Sequence, residues 1–293
     1  MSRLRADLLL LVAALIWGLA FYFQKTAMSH IGPWLFTAVR AVIATLVLIP
    51  FALREAAMER GPLAPMVPIS LLGGFAFLLG GGLQQAGIVD ATIVNAGLLT
   101  ALYVPLTPLV AWMWGGTRPS RIIWLAAILC FCGAWALGGG SLGQMSQGDM
   151  VIALSAVAWA VHIVITGKAG IHARPLTYTC IQFAVVAMCA LGLAFLLETV
   201  SLPAILSVWP SLLYVGVLSS AVTFGIMAVA LRYAQPSETA VLLSLETVFA
   251  ALAGYVLLGE RLTPLGWFGA ALIFCSALGS QLYLASRHKA EDV

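Results

Sequence analysis

Glu246 is the residue in this chain best placed to do chemistry. It sits in residues 242–261, Leu-Leu-Ser-Leu-Glu-Thr-Val-Phe-Ala-Ala-Leu-Ala-Gly-Tyr-Val-Leu-Leu-Gly-Glu-Arg, where almost every other residue is apolar or small. A hydrocarbon core takes about 20 residues to cross, and this run is long enough. A carboxylate inside it costs on the order of 2.5–3.5 kcal/mol on insertion scales, so an internal partner or a wet cavity must offset it. Its helical neighbours are Leu242, Leu243, Phe249 and Ala250, with Thr239 and Ala253 a turn further. Several of these are small, so the face can meet another helix or a cavity. Two readings stay open. Glu246 binds a proton or a substrate amine, or it forms a fixed pair, for which Arg40 is the candidate because it too lies within an apolar run.

Four more residues could share that site. Trp17 and Trp159 each lie ten residues past an aspartate that opens an apolar run, Asp7 and Asp149. At 1.5 Å per residue both reach about 15 Å, near a membrane midplane. Tryptophan ordinarily marks the interfaces, so midplane indoles either line a cavity and stack on an apolar or aromatic substrate, or pack helices. His162 follows Trp159 by three residues, on a similar helical face, as a hydrogen-bonded packing residue or a proton carrier. Tyr103 brings a phenol to the fourth run, and Asn95, Gln84 and Gln85 add polar groups to the third and fourth. Pro105 and Pro108 interrupt the fourth run and free backbone carbonyls. The ninth has no matching prolines, so the two are expected to differ there.

The surroundings exclude most other chemistries. The chain is 62% hydrophobic and 9% charged, with a mean hydropathy of +1.05. A soluble domain carries about 25% charged residues, so this is an integral membrane protein. The net charge of +3 comes from scattered short loops and is not a nucleic-acid signal. The five cysteines all fall in apolar runs, and Cys130 and Cys132 point to different helix faces, which indicates neither disulfides nor a metal site. There is no hydrolase constellation. Gly80-Gly81-Gly82 and Gly138-Gly139-Gly140 lack the lysine and spacing of a phosphate loop, so no cofactor is expected. Arg3 and Arg5 ahead of an apolar run imitate a signal peptide, but no small-x-small cleavage site precedes Gln24-Lys25.

Ten apolar spans can be marked, near residues 7–26, 34–53, 67–89, 91–114, 121–138, 149–167, 176–197, 210–231, 236–258 and 265–286. Their length and lack of alternation favour helices over barrel strands. Eleven Lys and Arg residues fall on the amino-terminal side of these spans, and only Lys25 and Arg261 on the other. By the positive-inside rule both termini face the cytoplasm.

The first five spans resemble the last five. Trp17 and Trp159, His30 and His172, and Pro33 and Pro175 are each 142 residues apart, and Arg40 corresponds to Gln182. By the fourth and ninth spans the offset is 144, from Leu98-Leu99-Thr100 to Leu242-Leu243-Ser244 and from Gly115 to Gly259. Five is odd, so the second copy enters from the opposite side. The expected fold is all-α: ten transmembrane helices as two inverted five-helix repeats, residues 1–140 and 149–287, around a central cavity. Transporters are commonly built this way, with the substrate near the midplane. Small-x-x-x-small pairs such as Ala76 with Gly80, Ala250 with Gly254 and Gly266 with Ala270 are read as packing within the bundle.

The run Ala14-Leu15-Ile16-Trp17-Gly18 ahead of Lys25 resembles the first helix of the drug/metabolite transporter superfamily, EamA branch. The Leu-Leu-Ser/Thr runs and Gly259-Glu260-Arg261 with Leu262 resemble it too. The likeness covers the whole chain as two EamA-type halves. It departs at Gly115-Gly116, where that family usually has Gly-Glu. The resemblance implies export of small metabolites across the bacterial inner membrane, and within the branch the chain looks most like the aromatic amino acid exporters. The resulting expectation is a secondary transporter, working by alternating access as a functional monomer in the lipid bilayer. Its candidate substrate-binding residues are Trp17, Tyr103, Trp159, His162 and Glu246. The competing readings are an intramembrane enzyme or lipid-handling protein using Glu246 and His162, and a channel, which would pass unsaturable fluxes.

The charge bias makes a direct prediction. Single cysteines introduced at residues 54–60 should resist an impermeant thiol reagent added outside intact cells. Labelling there from outside would overturn the span count.

Overall fold

The computed structural model describes residues 1–58, 63–114, 118–138, 145–259 and 261–291, with side chains as far as Tyr283. The sequence features at Gly115-Gly116 and Glu260 lie outside the described residues. Ten long helices run through the described residues: α1 (Arg3–Ala27), α2 (Pro33–Met58), α3 (Val67–Ile88), α4 (Ile93–Met113), α5 (Arg121–Leu137), α6 (Gln147–Ala169), α7 (Pro175–Leu197), α8 (Trp209–Ala230), α9 (Pro236–Leu258) and α10 (Pro264–Glu291), with a short helical turn at Leu202–Ser207 between α7 and α8. Among the described residues there is no strand. Nine helices are long and apolar enough to cross a membrane, and α5, with 17 residues, is the shorter tenth. Prolines at the first turn start α2, α7, α9 and α10, where a missing N–H is harmless. A capping box of Ser146 with Asp149 starts α6.

The inversion is visible in one pair of contacts. Helices α2 and α7 pack along their lengths. Glu198, just past the end of α7, accepts the backbone N–H groups of Trp34 and Leu35 at the start of α2, both at 2.8 Å. Glu55, near the end of α2, accepts the N–H groups of Leu176 at 3.3 Å and Thr177 at 2.7 Å, at the start of α7. The Thr177 hydroxyl donates to the same carboxylate at 2.7 Å. A carboxylate at one helix's end can cap the other's beginning only if the two run antiparallel. Because the same arrangement occurs at both ends, the pair is related by a two-fold axis lying in the membrane plane. Each cap satisfies orphan N–H donors and places negative charge at the positive end of a helix dipole.

Other contacts join helix ends that alternation puts on one side. Lys25 Nζ donates to the carbonyls of Ile88 at 3.0 Å and Val89 at 2.9 Å, tying α1 to the end of α3. On the opposite side, Lys168 Nζ donates to the Trp114 carbonyl at 3.0 Å, and Arg3 pairs with Glu238 at 2.6 Å and Asp7 at 3.0 Å.

The two repeats are interleaved rather than set side by side. Helix α1 packs on α8 and α9 of the second repeat, and α6 packs on α3 and α4 of the first. Helices α5 and α10 pair across the same symmetry and nearly touch at Gly133, where an added Cβ would come within 2.8 Å of the Gly269 carbonyl oxygen. The unit that moves as a body in any rocking motion is therefore not simply one half of the sequence.

Interruptions occur in both repeats, which corrects the expectation that the fourth and ninth spans differ. Helix α4 tightens at Ala101 and Leu102, where Pro105 removes a donor and Val104 N–H bonds the Ala101 carbonyl at 3.0 Å. Helix α9 tightens at Ser244, 144 residues after Thr100, without a proline. There Thr247 N–H bonds the Ser244 carbonyl at 3.1 Å, and the Ser244 hydroxyl takes the Val241 carbonyl at 2.6 Å. A serine hydroxyl competing for the backbone gives the same local effect as a proline. In α8, residues Tyr214–Val222 are π-helical, a form frequent at functional sites.

Replacing Glu55 or Glu198 by Ala should lower the melting temperature of the purified protein. Each change removes a helix cap worth about 0.5–2 kcal/mol. The two caps sit at opposite ends of the pair, so the double variant should lose roughly the sum; no shift in either single variant would remove the caps from the account.

Gly18 makes a second test. A Cβ there would lie 2.8 Å from both the Ala250 nitrogen and the Glu246 carbonyl oxygen of α9. These are backbone atoms, so no rotamer relieves the contact. Gly18→Ala should cost about 1–3 kcal/mol by overpacking, read as a lower melting temperature. Gly192→Ala, where a Cβ meets nothing within 4 Å, should have no such effect. Equal behaviour of the two would contradict the close approach of α1 and α9.

Candidate functional site

A cavity lies where α1, α2, α3, α4, α6, α8 and α9 converge, and Trp17, Tyr103, Trp159, His162 and Glu246 all line it. It offers about 60 Å³ to the centre of a water molecule, several times the roughly 10–15 Å³ that one water needs. The tightened turns of α4 and α9 bring Thr100, Tyr103, Leu243 and Glu246 to its wall.

Aromatic rings form one side. Trp17 lies against Phe224 with centroids 4.8 Å apart, and Trp159 stacks on the same ring at 5.8 Å. The repeat-related tryptophans thus reach one ring from opposite copies. Phe77 meets Trp159 edge-on at 5.2 Å and Phe224 at 4.9 Å. The two indoles differ in their hydrogen bonds. Trp17 Nε1 donates to the Ser219 carbonyl at 2.9 Å, within the π-helical segment, whereas buried Trp159 Nε1 has no partner.

The polar residues divide in the same way. His162 is fully buried, and its Nε2 lies 3.0 Å from Gln182 Oε1, while Nδ1 has no partner. The packing reading accounts for one ring nitrogen and leaves the other unpaired. Gln84 donates to Thr100 Oγ1 at 2.7 Å. Asn95 and Gln85 lie off the cavity. Asn95 faces Asp149 at 3.5 Å, and Gln85 faces Met28.

Glu246 is 6% exposed, and the Tyr103 hydroxyl is its neighbour in the cavity wall. No ion pair joins it to Arg40: among the described residues the ion pairs are those of Arg3 with Asp7 and Glu238. The fixed-pair reading is therefore corrected. Arg40 instead lines the same cavity, 4% exposed, with its guanidinium 5.5 Å from the centre of the Phe77 ring. It donates to Gln24 Oε1 through a long 3.4 Å contact, and its Nε and Nη2 have no hydrogen-bond partner among the described residues. The site thus holds a guanidinium and a carboxyl group that do not pair with each other.

The charges also break the internal symmetry. The repeat partner of Arg40 is Gln182, and the residue 144 before Glu246 is Leu102. Sequence reasoning saw Arg40 as a charge in a span but not as part of the wall. It missed Phe77, Phe224 and Met227, whose apolar side chains carry no signal that separates a cavity face from a lipid face. Among the described residues no group of three or more His, Cys, Asp or Glu could hold a metal ion.

Comparison with known proteins agrees with this architecture. The EamA-like transporter family model matches residues 4–139 and again residues 146–281. An uncharacterized transporter of Archaeoglobus fulgidus is 30% identical over 279 residues, spanning 94% of this chain and 86% of its own length. The threonine/homoserine exporter RhtA of Escherichia coli K12 is 28% identical over 270 residues, spanning 88% of this chain and 84% of its own. Its Salmonella typhimurium LT2 namesake is 30% identical over 269 residues with the same coverage. These named exporters act on a different substrate class from the aromatic amino acids to which the sequence resemblance pointed. A solved crystal structure shares the fold, with a TM-score of 0.78 at 21% identity over 98% of this chain and 99% of that one. Two tandem matches, ten apolar helices and an inverted pair of repeats lead to one conclusion: this chain is a multi-pass membrane protein and belongs to the EamA-like transporter family.

Proposed function

We propose that this protein exports amino acids from the cytoplasm across the plasma membrane, by alternating access around the cavity between the repeats. The observation that carries the reading is a cavity faced by both repeats, in which Glu246 joins no ion pair among the described residues and a few polar side chains stand beside aromatic rings. A mostly apolar pocket with a few convergent polar groups is the usual form of a small-molecule site. Trp17, Trp159 and Tyr103 pack on the substrate side chain, each aromatic contact contributing about 0.5–1.5 kcal/mol. Glu246 attracts the substrate amine or exchanges a proton. His162, held at Nε2 by Gln182, lines the same wall with Nδ1 free to meet a substrate or a water. The relatives named as threonine/homoserine exporters support amino acids as the class. The aromatic wall fits apolar and aromatic side chains, so both kinds belong in the test. Both termini face the cytoplasm, and the protein works as a monomer.

Purified protein in proteoliposomes should catalyse saturable counterflow of labelled L-threonine, L-leucine or L-phenylalanine, with the tracer recovered unchanged. Glu246→Gln should insert normally and lose at least tenfold in rate, or lose the pH dependence of flux. A chemically altered tracer would favour the intramembrane enzyme, and unsaturable flux the channel. Normal yield together with normal, pH-dependent flux in the variant would remove Glu246 from the site.

A further inference from the structure

We infer that Arg40 is the anchor for the substrate carboxylate, so that the cavity selects zwitterions by holding their two charges at two separate poles, Arg40 and Glu246. This rests on the exporter reading and deepens it by assigning a residue that the reading leaves without a role.

Arg40 has an unfilled donor set. A guanidinium presents five N–H donors in a rigid fork that matches a carboxylate, and it stays charged. Among the described residues, Arg40 makes one hydrogen bond, the long contact from Nη1 to Gln24, while Nε and Nη2 are buried without a hydrogen-bond partner. Buried donors are rarely left unpaired in native proteins, and each one calls for an explanation. Nε and Nη2 together form the side of the fork that binds a carboxylate through two parallel hydrogen bonds. Arg40 is one of the residues that line the cavity. Gly81 of α3 makes room for the guanidinium itself, since an added Cβ there would sit 2.9 Å from Nη2.

The internal repeat supplies a control. At the equivalent position of α7 the chain carries Gln182, a neutral amide that hydrogen-bonds His162. The fold therefore does not require a cation at this place in the repeat. A charge that is expensive to bury, absent from the symmetric position and unpaired by any carboxylate among the described residues is explained by an anion that arrives from outside. Glu246 then supplies the complementary pole for the amine. The aromatic rings between receive the side chain, which both poles leave free to vary. A buried site built for two charges rejects a ligand that lacks one, because the unmatched pole stays unpaired.

Competition in proteoliposome counterflow tests this with the tracer the protein carries best. For phenylalanine the single-charge analogues are phenethylamine, which lacks the carboxylate, and 3-phenylpropanoate, which lacks the amine. In the wild-type protein each should compete at least tenfold more weakly than the amino acid. In Arg40→Gln, affinity for the amino acid should fall at least tenfold, toward that for phenethylamine, while phenethylamine itself changes less than twofold. In Glu246→Gln the same pattern should hold for 3-phenylpropanoate. Wild-type protein that accepts either analogue as well as the amino acid overturns the inference without any variant. So does an Arg40→Gln protein that weakens amino acid and amine alike. Should Arg40→Gln fail to insert, Arg40→Lys, which keeps the charge but not the fork, should fall between the two in its discrimination. Absence of saturable counterflow with every amino acid would instead refute the exporter reading itself.

Discussion

The antiparallel pair of α2 and α7 is the constraint from which the rest of the molecule follows. Two carboxylates, Glu55 and Glu198, each close the start of the opposite helix. The first N–H groups of a helix have no partner within it, and a carboxylate placed there satisfies them and meets the positive end of the helix dipole. The reciprocal caps do this at both ends at once, and they also fix the register. With Trp34 and Leu35 pinned, Arg40 is carried under two turns further along α2. With Leu176 and Thr177 pinned, Gln182 takes the equivalent place on α7. The two helices therefore set the depth of one cation and one neutral amide on either side of the symmetry axis.

Function enters where the symmetry is broken. The repeat gives two indoles that reach the same Phe224 ring, and two tightened turns, at Ala101 and Ser244, that deliver side chains to the cavity. On that common frame the first repeat adds Arg40 and the second adds Glu246. A cavity with perfect internal symmetry would present the same group twice and could not tell one end of a zwitterion from the other. Interleaving matters as well. Because α1 leans on α8 and α9, and α6 on α3 and α4, every wall of the cavity mixes residues from both copies.

The membrane class, the ten spans and the inverted repeat were legible in the sequence because their signals are large. Charge depletion, span length and offsets of 142 to 144 need no contact information. The five candidate residues were legible for a related reason: polar groups and tryptophan deep in an apolar run are costly or unusual, so they stand out. Arg40 stood out too, but its partner did not. Nothing in the spacing says whether two buried charges in different helices face each other, and the pairing with Glu246 that chemistry suggests is absent. Glu55 and Glu198 read as turn residues at helix ends, because a cap made across an antiparallel pair leaves no local pattern. The π-helical stretch of α8 was hidden altogether, since adding a residue to a turn changes no composition. Phe77 and Phe224 were hidden among many apolar residues that face lipid.

The central claim is that opposite, unpaired charges from the two repeats hold one substrate between them. An experimental structure of the protein with a bound amino acid tests it most directly. The account predicts ligand density in the cavity, with the carboxylate against Nε and Nη2 of Arg40, the amine turned toward Glu246 and the side chain among Trp17, Trp159 and Phe224. Density in which Arg40 and Glu246 pair with each other, or a ligand bound away from both, would contradict it.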